Sequence, residues 1–312
     1  RWRVQGERIE VDVDELKLRN ADATASFKAR WHTFDVRRTG EARFPGVLDL
    51  QGAFSRANGA RVFRYLPLVI PRDARHYVRD AIQKGEARDF AVRVRGDLRH
   101  VPFDKNPAAG EFRFAGQVQG VQMAYVPRAL QPAGQPPWPA LEELAGELVF
   151  ERNSMQVNKA RARVQGHPGW QFPRIQAGIA DLEHTRVKVE AEGRGPLAAA
   201  LGIVRQSPVA GFIEHALDQT QASGDAALQL KLDLPIDHIE QSKVEGRVSL
   251  PGNDVRLSPG TPALAQARGA VTFTDTGFSI QDTRVQMLGG EARVSGGSQP
   301  REGGAAAVRV RS

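Results

Sequence analysis

Gly146–Val164 reads GELVFERNSMQVNKARARV, and its alternation decides how the chain folds. Leu148 and Phe150 lead to a polar turn at Asn153–Ser154, and Met155 and Val157 follow it. Glu147, Glu151, Gln156 and Asn158 fall between them, with Val149 as the exception. A period of two gives one apolar face and one wet face. Two such runs about a turn predict a β-hairpin.

The pattern returns at Gly269–Met287, GAVTFTDTGFSIQDTRVQM, 123 positions further on and without a gap. Val271 stands for Leu148, Phe273 for Phe150, Phe278 for Met155 and Ile280 for Val157. Register is kept through the turn as well as the strands, which points to an internal repeat. The expected fold is mainly β with a few helices, in an antiparallel sheet that can be curled into an elongated apolar groove.

Other stretches fit the same plan. Short strands are expected at Trp2–Val4, Ile9–Val13, Leu16–Leu18, Ala23–Phe27 and Val47–Phe54. Phe90, Val92 and Val94 alternate with polar residues, as do Phe112 and Phe114, and later Leu228 and Leu230. After Pro71, the spacing of Ala74, Tyr77, Val78, Ala81 and Ile82 predicts a helix near 72–84, ended by Gly85. Apolar spacing predicts further helices at 196–205 and 208–221. Pro127–Pro139 holds five prolines and Trp138, so it reads as a loop over an edge or opening. Gly296–Ala307, rich in Gly and Ala, also reads as a loop, before a last strand at Val308–Val310.

Two segments follow from this, 1–125 and 126–312, as one continuous structure. The start at Arg1 without Met suggests a fragment of a longer protein, with any anchor or export signal outside it. No apolar run reaches the roughly 18 residues that span a bilayer.

The 312 residues carry a net charge of +7. Arg93 and Arg95 alternate with Val92 and Val94, so such charges solvate a sheet face. Nothing resembles a nucleic-acid module, and no nucleic-acid partner is expected. Without cysteine there is no disulfide and no thiolate metal site. The seven histidines lack ligand spacing, so no metal is expected. Gly193–Ala198 matches G-x-G-x-x-A, yet the strand that follows is half wet and no strand-borne acid stands about twenty residues on. Those glycines read as a strand end before a helix. No nucleophile elbow or phosphate loop is present, so neither catalysis nor a cofactor is expected.

Tyr65-Leu66-Pro67 before a helix, Gly96 with Val101-Pro102-Phe103, Trp138-Pro139, and Ser207-Pro208 occur in that order among the repeated hairpins. Together they resemble the YhdP family of AsmA-like envelope proteins over about residues 60–290. Val101 stands where the family pattern has an aromatic residue. The resemblance implies a periplasmic protein anchored to the inner membrane, built of repeating β-groove units. Its implied role is phospholipid transport between the inner and outer bacterial membranes, with acyl chains as partners. The lipid-binding floor would comprise Phe90, Val92, Val94, Phe112, Phe114, Leu148, Phe150, Leu228, Leu230, Val271, Phe273 and Phe278. A closed sandwich serving as an envelope scaffold would show the same alternation.

Overall fold

Antiparallel pairing, mostly between strands adjacent in the chain, organises the molecule. The computed structural model describes residues 1–36, 40, 42–301 and 304–311, with side chains through residue 298. The fold is mainly β with a few helices, as the alternation predicts. Contacts divide it into two units. The first comprises Arg1–Val121, Ala145–Asn158 and Gly178–Thr185, and the second Gln122–Leu144, Lys159–Ala177 and Arg186–Ser312.

In the first unit lie β1 (Trp2–Gln5), β2 (Arg8–Arg19), β3 (Ala23–His32), β4 (Val47–Asn58) and β5 (Ile82–Asp97). Each pairs antiparallel with the next. Strand β6 (Gly110–Met123) follows. Between β4 and β5 the chain forms a 3-10 turn, Gly59–Tyr65, and helix α1 (Arg72–Ala81). The helix is shorter than its spacing predicts. Ile82 already belongs to β5, and Gly85 is a strand residue at φ 121° where the Val121 side chain packs close. The two strands expected at Ile9–Val13 and Leu16–Leu18 are one, β2.

Strands β7 (Leu141–Glu151), β8 (Ser154–Val164) and β9 (His167–Ile179) lend residues to both units. The hairpin turn falls at Arg152–Asn153, one residue before its expected place. In the second unit β10 (Arg186–Pro196) leads to α2 (Leu197–Arg205), α3 (Val209–Phe212) and the two-residue β11 (Gln221–Ala222). Then come β12 (Asp225–Pro235), β13 (Lys243–Arg256), β14 (Leu264–Thr274), β15 (Gly277–Met287), β16 (Gly290–Arg301) and β17 (Gly304–Arg311). Strand β12 pairs with both β10 and β13, and each later strand pairs with its predecessor.

Two expectations are corrected here. The helix expected over 208–221 stops after Phe212, because Glu214 and His215 take left-handed backbone. The described residues of the Gly/Ala tail, 296–301 and 304–307, are strand rather than loop: β16 and β17 pair with one another from Ser295 and Arg311 inward, and 302–303 lie outside the described residues. Ladder pairing is made by the backbone, so it does not depend on large side chains.

Bulges maintain the faces. On β15, Phe278 and Ile280 occupy even positions, whereas Thr283, Val285 and Met287 are odd. Strict alternation would put them on opposite sides. One extra residue sits between Ile280 and Thr283 in the pairing with β16, and Asp282 is left-handed at φ 46°. That bulge returns Thr283 and Val285 to the apolar face, where both are buried. An extra residue between Val13 and Leu16 does the same on β2.

Candidate functional site

Register aligns the apolar residues into rows that cross the strands. In the first unit Val13, Ala29, Leu50 and Val94 face one another across four strands. The next rows are Leu16–Phe27–Gly52–Val92 and Leu18–Ala25–Phe54–Phe90. Val11, Trp31, Leu48 and Gly96 form the row on the other side. In the second unit one row is Gly193–Leu228–Val248–Val271–Ile280 and the next Ala191–Leu230–Gly246–Phe273–Phe278.

These rows are only partly covered. Val92 and Val94 are buried, while Phe90, Phe112, Phe114, Leu148, Phe150, Leu228, Leu230, Val271, Phe273 and Phe278 are only half-buried. Apart from Phe103 and Trp170, the buried hydrophobics are mainly Ala, Val, Ile and Leu. The accessible surface is 19588 Å². A globular chain of 34.1 kDa would expose about 12,800 Å². Two separate globular halves would still expose only about 15,500 Å².

Glycine lets the rings lie over neighbouring strands. The tip of the Phe273 ring occupies the place a Cβ on Gly246 would need. At Gly52 and Gly116 neighbouring backbone, the Ser26 carbonyl oxygen and the Phe90 Cα, comes closer than the rings of Phe27 and Phe90. Phe172 and Trp170 cover Gly193 at 3.0 and 3.2 Å. This is the work of the first glycine of the motif set aside above: Gly193 seats rings in an antiparallel strand. The edge-to-face pair Phe27–Phe54 at 5.3 Å and the tilted pair Phe112–Phe114 at 5.0 Å complete the aromatic floor of the first unit.

The opposite face is charged and paired. Arg93 donates to Asp49 and reaches Glu111 at 3.3 Å, and both carboxylates hold its guanidinium in the charged form. Arg186 chelates Asp233, which stays below the usual carboxylate range for that reason. Lys231 stands 4.0 Å from Glu190. Alternation thus divides the sheet into a greasy side and a solvated side.

Segments between strands close the ends of the rows. Asp97 caps the 3-10 turn Leu98–His100 and binds Arg99, whose guanidinium stacks 4.5 Å over Phe34. This turn carries Phe103 onto Gly96 and Gly110, where it is fully buried. In the second unit the proline segment is a loop, as expected. Its Trp138 lies 6.1 Å from Tyr125 and 6.2 Å from Phe212 on α3. Phe212 remains 74% exposed.

Sequence reasoning missed most of each row in the first unit, Val13, Leu16, Phe27, Leu48, Leu50 and Phe54 among them, and Val248 and Ile280 in the second. Their alternation was visible locally. Which residues face one another depends on register and bulges, which no local pattern specifies.

Among the described residues no three His, Asp or Glu side chains gather as a metal site. No helix among them is long and apolar enough to cross a membrane.

A family model described as YhdP protein matches residues 1–311. The chain is also similar to the intermembrane phospholipid transporter YhdP of Escherichia coli (strain K12), at 24% identity over 230 residues. That match covers 73% of this chain and 17% of the relative's length. No solved structure matches.

Proposed function

Because the chain belongs to the YhdP family, we propose that its apolar rows are a segment of a groove that carries phospholipid acyl chains between the two membranes of a bacterial envelope. The observation that carries this reading is the in-register apolar rows, most of whose residues are half-buried rather than sealed, on one side of a solvated sheet. A phospholipid has about 30 tail methylenes, each costing roughly 0.8 kcal/mol in water. Exposing both tails therefore costs on the order of 24 kcal/mol. A continuous apolar floor lowers that cost at every point of the path and needs no catalytic group. The reading assigns the protein no enzymatic activity and no cofactor. It places the segment in the periplasm, with an inner-membrane anchor in another part of the protein. The twelve residues from Phe90 to Phe278 named from the sequence, with their row partners, would touch the tails.

The test is a photo-reactive residue in place of Phe150, irradiated in cells whose phospholipids carry a radiolabelled phosphate. Labelled adduct supports the groove. A folded protein without adduct, and without lipid on organic extraction, supports the alternative of an envelope scaffold.

A further inference from the structure

An acyl chain needs room above the floor, and large aromatic residues standing upright would take it. They do not stand upright where glycine is opposite. At Gly246 the ring of Phe273 leans across the ladder into the space of the missing side chain. Rings are likewise the nearest atoms at Gly193, where Phe172 and Trp170 lie 3.0 and 3.2 Å from the Cβ position. Neither glycine has the left-handed backbone that would demand glycine for conformational reasons. Glycine in a strand interior is less favourable than alanine, so its presence calls for a steric reason.

We propose that these glycines set the clearance of the groove: each gives an aromatic ring a seat in the floor, and so keeps the path of the acyl chain open. Gly246 is then a positioning residue for lipid passage, acting through Phe273. The proposal rests on the groove reading above. An alanine at 246 would meet the Phe273 ring and turn it up into the row of Ala191, Leu230 and Phe278.

The experiment uses the full-length protein, with a photo-reactive residue at Leu230 and phospholipids bearing radiolabelled phosphate. Gly246→Ala should keep its fold by thermal melting and lose labelled adduct by about tenfold, the effect of a 1.4 kcal/mol step. Adding Phe273→Leu removes the ring, and adduct should return to near the parent level. A Gly246→Ala protein labelled as well as the parent overturns the proposal. If Gly246→Ala melts too low to assay, the double variant decides: recovered fold with parental labelling supports it, and recovered fold without labelling overturns it. A parent protein that takes no label removes the groove reading itself, and the proposal with it. A labelled parent with a labelled Gly246→Ala variant removes only the role of the glycine.

Discussion

Glu143 on β7 and Gln266 on β14 stand 123 residues apart and share the same left-handed backbone, each at φ 51°. Lys159 and Asp282 repeat the relationship at 49° and 46°. Strand bounds follow: β7 and β14, then β8 and β15, begin and end at the same offset. Two copies thus agree in their irregularities as well as in their alternation.

Gln266 is expected to reveal what its bulge contributes. Left-handed backbone costs an L-residue about 1–2 kcal/mol. Gln266→Gly relieves this at the expense of chain entropy, so its melting temperature should equal or slightly exceed the parent's. Gln266→Val puts a β-branched side chain where it fits worst and should cost about 2 kcal/mol. Coincident melting curves for all three would show that the bulge does not fix the register.

Phe273 and Val285 should respond oppositely to a carboxylate. Phe273 is half-buried, so the charge of Phe273→Asp can reach water, and the protein should fold with a modest loss of stability. Val285 is 2% exposed, packed with Ala267 and Val294, and Val285→Asp should unfold it. Lipid adduct should vanish from the folded Phe273→Asp protein. Equal destabilisation of the two variants would mean that the row at Phe273 is sealed.

The turn that carries Phe103 should weaken in acid. Hydrogen bonding to Arg99 holds the Asp97 carboxyl below its ordinary value. A depressed folded-state value adds stability that is complete above pH about 4 and drains away as pH falls through it. Asp97→Asn should therefore melt below the parent at neutral pH, and the gap should close in stronger acid. A gap that stays constant down to about pH 2 would mean that the carboxylate charge is not what stabilises the turn.

Trp138 should hold the proline loop. Each aromatic pair contributes about 1 kcal/mol, and Trp138 makes two. Trp138→Ala should speed tryptic cleavage after Arg128 by about tenfold or more, with Phe212→Ala intermediate. Cleavage at the parental rate in both would count against the aromatic contacts as the restraint.

The sequence made the face legible and left the seams hidden. Leu148 and Phe150, or Val271 and Phe273, declare a period of two that needs nothing beyond neighbours in the chain. Left-handed Gln266 and Asp282 look like any polar strand residue, so the place where parity changes is silent. Apolar spacing likewise extended the helix after Pro208 to residue 221, because Ala216 and Leu217 keep the rhythm past the break at Glu214 and His215. The candidate floor was readable strand by strand. Its rows were not, since facing partners such as Leu50 and Val94 are 44 positions apart and are joined by register alone.

Between the start of β7 and the start of β14 the chain makes six full-length strands, besides the two residues of β11. Six is even, and parity has a meaning in an antiparallel sheet. Each antiparallel strand reverses the direction of the one before, so an even number restores it. An insertion of three or five strands would arrive upside down. An even-stranded unit is therefore one that an antiparallel sheet can repeat without reversing its strands.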